Sequence, residues 1–183
     1  AFLHEWAGLK DTHDFFPMLL KYKISRTGAV ELARDEFAWP VSNEATRTVL
    51  HTASEREVPI MVFVGNPGMV QIHSGPVRRI VEKDAWLNVL DPDFNLHLRH
   101  DRIAESWVVE KPTEDGVVTS LEVFDSNGDL IATFFGERKP GRPEFPEWRQ
   151  LALEIRSALA VNGHGAEGAG GNGYGSEAPA VTG

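Results

Sequence analysis

Apolar positions along this chain follow two periods, and the change from one to the other divides it. Up to about residue 58 they recur at helical spacing. Residues 1–9 predict a short helix with Phe2, Trp6 and Leu9 along one side. Asp11 or Thr12 reads as the N-cap of a second helix, since a short side-chain oxygen there satisfies backbone N–H groups that lack a partner. His13 falls in its first turn beside Phe15 and Phe16, and Pro17 lies close enough to the start to be tolerated. Ser25 predicts the cap of a third helix, Arg26 to Arg34, interrupted by Gly28. Phe37–Val41 reads as a short extended piece, and Asn43 as the cap of a helix to Glu57 whose apolar face is Val49, Leu50 and Ala53.

From Pro59 onward the pattern is that of strands. Ile60–Val64 is a continuous apolar run, returning through Asn66-Pro67-Gly68 to Met69–His73. Trp86–Leu90 and Phe94–Arg99 pair around Asp91-Pro92-Asp93. Ile103–Lys111, Val117–Asp125 and Leu130–Lys139 are joined by Glu114-Asp115-Gly116 and Ser126-Asn127-Gly128, both hairpin turns. Trp148–Leu159 is a closing amphipathic helix. The predicted fold is α+β: N-terminal helices, an antiparallel meander of about seven strands, and a C-terminal helix.

Composition narrows this picture. Residues 1–160 suffice for one domain with a proper core. Residues 161–183 form a Gly/Ala-rich tail with too little apolar surface to offset its ordering entropy, and disorder is expected there. The 183 residues include no cysteine, which excludes disulfides, thiolate metal sites and a thiol nucleophile. No window approaches the roughly 18 apolar residues of a membrane span. The first residues, AFLHEWAGLK, lack the basic and apolar runs of a signal peptide and begin without Met, as a piece of a longer protein would. A net charge of −9 argues against sequence-independent nucleic-acid binding, while leaving room for a local basic pocket.

The candidate chemistry is sparse. His97 and His100 point to opposite faces of a strand and do not make a metal pair, and no zinc-protease, EF-hand or phosphate-loop motif is present. His13 beside Phe15, Phe16 and Met18 suits a large flat apolar cofactor, although a capping histidine with core aromatics behind it accounts for the same residues. Lys111 and Arg138-Lys139 end strands, and Arg26 begins a helix near His13. If those strand ends share a rim, they form a cationic collar suited to two carboxylates; otherwise they are solvated charges.

Taken together, DTHDFFPML, SRTGAVELA, PIMVFVGNPGMVQIHSGPV, WLNVLDPDFNLHLR, WVVEKPTEDGVVTSLEVFD and FFGERKPGRPE resemble the HemS/ChuX-type haemin-degrading and haem-trafficking proteins. The likeness runs in order over residues 1–155 and is to the C-terminal half of two-half members. It implies a cytoplasmic protein of bacterial haem-iron uptake whose cofactor is haem b (hemin). His13 stands at the family's proximal iron ligand. Arg26, Lys111 and Arg138 match basic residues near the propionates, and Phe135 matches an apolar pocket wall. Thr133 departs from a common glutamine. The distal arginine belongs to the other half, and His97, near its counterpart here, is a candidate second contact in a homodimer.

A neutral imidazole suits haem iron, and the macrocycle carries the redox chemistry, so the protein supplies ligation and access. Haem binding and transfer is the favoured reading. Oxidative degradation is the alternative, as is a structural half-domain that needs a partner half. The implied partners are haem, a second similar half-domain or copy, and a haem oxygenase or uptake transporter.

Overall fold

A computed structural model describes residues 1–139 and 141–161; the tail expected over residues 161–183 lies, beyond Val161, outside the described residues. Helices α1 (Phe2–Ala7), α2 (Phe15–Tyr22) and α3 (Arg26–Leu32) precede strand β1 (Ala38–Val41) and helix α4 (Ala45–Glu55). Strands β2 (Ile60–Asn66), β3 (Met69–Gly75), β4 (Ile80–Lys83), β5 (Trp86–Leu90), β6 (Asn95–Arg99), β7 (Glu105–Thr113), β8 (Gly116–Phe124) and β9 (Leu130–Gly136) follow, and α5 (Pro146–Ala158) closes the fold. The α+β class is as expected from the periodicity.

The meander divides into two sheets: six strands in the order β1-β7-β8-β9-β2-β3, and three in the order β4-β5-β6. Strand β4 has no counterpart in the sequence reading, because Arg78, Arg79, Glu82 and Lys83 obscure its apolar pattern. The break comes just before it. β3 ends at Gly75 with φ 142°, a conformation side chains rarely adopt, and the Asp91 carboxylate then captures the amides of Arg78 and Arg79 at 2.9 and 2.8 Å. Asn43 does not cap α4; its side-chain amide instead donates to the Ile103 carbonyl at 2.9 Å and its oxygen accepts from Ser106.

The register of the large sheet sorts its residues into two faces. Val108, Leu121, Phe134 and Val62 lie opposite one another across β7, β8, β9 and β2, all buried. Helices α4 and α5 and the inner residues Leu87, Val89 and Leu98 of the small sheet cover this face. Trp148 of α5 is fully buried against Gly136 and donates its indole N–H to the Thr119 carbonyl at 2.9 Å.

The neighbouring row, on the opposite face, runs Trp107, Glu122, Thr133, Phe63, Ile72. Here the cover is partial. Phe2, Trp6, Leu9, Phe15 and Met18 pack with Ala38, Trp107, Val109 and Phe124 into a second core under α1–α3. Trp6 stands edge-on to Phe15 at 4.6 Å and stacks on Phe37 at 5.6 Å. Exposure then rises along the row, from 3% at Trp107 and Thr133 to 46% at Ile72. The half of the face formed by β9, β2 and β3 is left open.

Candidate ligand-binding site

The open half-face and the side of α2 bound a groove of about 1030 Å³. Phe63, Thr133 and Phe135 form its floor, and Phe16, Leu19 and Leu20 form a wall. Phe16 and Leu20 are exposed because α2 turns Phe15, Met18 and Leu19 inward, which sends the alternate positions over the groove. Phe63 and Phe135 meet edge to face at 5.1 Å. The lining is apolar apart from a few groups, of which Arg26 is the only cation among the described residues that line it.

His13 is not a lining residue. It sits on the 3₁₀ turn Thr12–Asp14 that leads directly into α2, and its side chain is almost fully exposed. Asp11 caps this turn by accepting from the His13 backbone N–H at 2.8 Å, and the same oxygen lies 2.6 Å from His13 Nδ1. In the neutral ring Nδ1 is therefore the protonated nitrogen, and Nε2 keeps a free lone pair. That is the arrangement found in metal-ligating histidines, whose other nitrogen donates to a carboxylate. Hydrogen bonds from the His13 amide and then its ring hold the Asp11 carboxyl below its ordinary range.

The cationic collar takes a different form from the one expected. Since β7 and β9 both run antiparallel to β8, their C-terminal ends do share a rim. Arg138, just past β9, lies on it, with Nη2 3.8 Å from Asp115. Lys111, however, is 3% exposed and points under the helices. Its position two residues from Val109 places it on the covered face, where Nζ reaches Glu122 at 2.5 Å. Arg26 meets the same carboxylate with two hydrogen bonds, Nε at 2.7 Å and Nη2 at 2.9 Å. Phe15 is likewise not a groove wall: it belongs to the second core, with Lys111 Nζ 4.5 Å and Arg26 Cζ 5.5 Å from its ring centre.

Glu122 escaped the sequence reading. Full burial would push its carboxyl up, but the Arg26 and Lys111 cations outweigh that and hold it far below the carboxylate range. Burial in turn pushes the Lys111 ammonium below the ordinary lysine value. The one available signal was a lone acid inside the otherwise uncharged run Thr119–Phe124.

His97 stands elsewhere, on the outer face of the small sheet opposite Asn88. Asn88 donates its amide to the Val81 carbonyl at 2.9 Å, so its oxygen faces His97 Nδ1 at 2.7 Å. Among the described residues no cluster of three or more His, Cys, Asp and Glu side chains could hold a metal ion, and no helix is long and apolar enough to cross a membrane.

The groove is thus largely apolar, with one cation, Arg26, and one anion, Asp129, among its described lining residues, and His13 stands three positions before its wall residue Phe16. Residues 23–154 match the haemin-degrading HemS.ChuX domain. Over 158 residues the chain is 40% identical to the hemin transport protein HmuS of Yersinia pestis, covering 86% of this chain and 46% of that protein. Holo-PhuS, a heme-binding protein from Pseudomonas aeruginosa, shares the structure with a TM-score of 0.83 at 49% identity, over 84% of this chain and 44% of that one. ChuS, an E. coli heme oxygenase, gives 0.82 at 42% identity, over 84% and 47%. The chain spans about half the length of these relatives.

Proposed function

Because this chain belongs to the haemin-degrading HemS/ChuX family, we propose that it binds haem in the groove beside α2, as a carrier in bacterial haem-iron uptake. The observation that carries this reading is the apolar groove with Arg26 at its side, whose wall residue Phe16 follows three positions after His13, on the turn where Asp11 fixes the imidazole. In this reading His13 Nε2 would hold the haem iron, being a neutral donor where a charged amine would not serve. Arg26 pairs with one propionate, and Arg138 on the rim is the candidate for the other. Phe16, Leu20, Phe63 and Phe135 exclude water from the porphyrin faces. Bound haem supplies the redox chemistry; these residues supply orientation and access.

Lys111 contributes through Glu122 and Phe15 rather than by direct contact with the ligand. His97, on the small sheet, is reserved for contact with a second copy or half-domain. A cytoplasmic location follows from the proposed role in uptake.

Oxidative opening of the ring is the second reading, favoured by the 42% identity to a heme oxygenase. Titration of hemin into the purified chain, followed at the Soret band, tests the first reading. A shifted band is expected for the parent, together with a changed spectrum and weaker binding for His13→Ala. No shifted band in the parent would overturn it. With reductant, O₂ and catalase present, persistence of the Soret band marks a carrier, and its loss to a verdin-type product marks an oxygenase.

A further inference from the structure

Glu122 is assigned no part in ligand contact by the reading above, yet it is the group on which the others converge. It lies two residues from the C-terminal end of β8, an inner strand of the large sheet, and is fully buried. A buried carboxylate persists there only because its lone pairs are taken up: Oε2 accepts from Arg26 Nε, and Oε1 accepts from Arg26 Nη2 and Lys111 Nζ. Among the described residues Arg26 uses only Nε and Nη2 in these bonds, and its side chain keeps 27% exposure on the groove. Nη1 is therefore the guanidinium nitrogen left for an anion. Both cations also lie over Phe15, the first residue of α2 and two beyond His13.

We propose that Glu122 is the positioning residue of the groove, clamping the Arg26 guanidinium so that its free edge meets a ligand carboxylate, and holding the start of α2 through Lys111 and Phe15. This rests on the reading that the groove takes a porphyrin carboxylate. It makes an unusual prediction about sign. Two cations and one anion give the cluster a net charge of +1, and removing the anion leaves it no less positive, at +2 while Lys111 keeps its proton. If Glu122 served only to neutralise, its loss would strengthen anion binding. A clamp predicts weaker binding in spite of the added positive charge, because an unheld guanidinium must be ordered by the ligand itself.

The test uses metal-free protoporphyrin IX and its dimethyl ester, whose binding is followed by porphyrin fluorescence and does not depend on His13 ligating iron. The parent is expected to prefer the free acid, and E122Q to bind the free acid about tenfold or more weakly and to lose the preference, as loss of one charge-assisted bond implies. Equal or tighter binding of the free acid by E122Q would overturn the proposal. Should E122Q fail to fold by circular dichroism, the double variant E122Q/K111M returns the cluster to +1 without the clamp; it is expected to show the same loss, and full affinity there would overturn the proposal.

A ligand-free readout separates this inference from the haem reading. The Arg26 Nε–H resonance should be protected from solvent exchange in the parent and unprotected in E122Q. If the parent binds neither porphyrin but shows that contrast, the haem reading fails while the clamp stands. An Arg26 Nε–H that exchanges freely in the parent overturns the clamp, whatever binds.

Discussion

Arg26 grips Glu122 across 96 positions of sequence, with paired hydrogen bonds of 2.7 and 2.9 Å that tie the first residue of α3 to the inner strand β8. The bidentate geometry joins the helical layer to the sheet at the boundary between its covered and open halves. A pair placed there bears on both stability and ligand contact.

Loss of the carboxylate should be costly. Glu122→Gln leaves two cations facing each other under the helices, and breaking a buried ion cluster by removing one partner costs about 3–5 kcal/mol. Urea denaturation of the variant should show a lower midpoint with an unchanged slope. Glu122→Gln combined with Lys111→Met should recover much of the loss, since one unpaired charge is removed as well.

The same cluster sets an acid limit. The folded-state pKa of Glu122 is depressed below the ordinary value of 4.5, so the unfolded chain binds its proton more readily. The stability it contributes is fully present above about pH 4.5 and is lost as the pH falls below that toward the depressed value. Urea midpoints at pH 7, 5, 4 and 3 should fall below pH 4.5 in the parent and more shallowly in Glu122→Gln. Parallel profiles would show that other carboxyls govern the acid transition.

Asp11→Ala should separate folding from ligation. Asp11 caps only a three-residue turn and its carboxyl is exposed, so the stability cost should lie at the low end for an N-cap. Hemin affinity, by contrast, should fall about 10- to 100-fold, the usual effect of removing the partner of a ligating histidine. Thermal melts and Soret titrations on one preparation check both.

Gly136→Ala probes the opposite face. A Cβ at Gly136 would come within 2.5 Å of the Trp148 side chain, which is fully buried and tied to Thr119. Overpacking of that kind costs about 1–3 kcal/mol. A lowered melting temperature with retained porphyrin binding is expected, because the clash lies behind the sheet from the groove.

Phe16→Ser is the complementary case. Phe16 is 60% exposed, so folding should change by no more than about 0.5 kcal/mol, the usual range for surface substitutions. Porphyrin affinity should fall, as measured by the same fluorescence titration. An unaltered affinity would move the ligand away from this wall.

Local patterning carried most of the fold into view. The caps at Asp11 and Ser25, the paired runs around Asn66-Pro67-Gly68 and Ser126-Asn127-Gly128, and the amphipathic closing helix each depend on neighbours in sequence. Strand β4 was hidden because its side chains mix signs and polarity, and the split into two sheets because it depends on Asp91 reaching back to two amides. The site was legible in its residue types but not in its wiring. Lys111 looks like a strand-end charge until the register sets it beside Val109 on the covered face. Glu122 looks like a solvated strand residue until α3 arrives from 96 positions away. Register and helix docking are long-range facts, and neither is written in spacing along the chain.

The half-covered sheet has a colloidal consequence. Phe16, Leu20, Met69, Val70 and Ile72 are all exposed around the uncovered half, and β3 is an edge strand with no charged residue between Met69 and Ser74 to deter pairing. A ligand lying in the groove would bury part of this surface. The chain without its ligand should then be the adhesive form, and loading should act as a solubiliser. Static light scattering against protein concentration, with and without protoporphyrin IX, should show self-association that diminishes on loading.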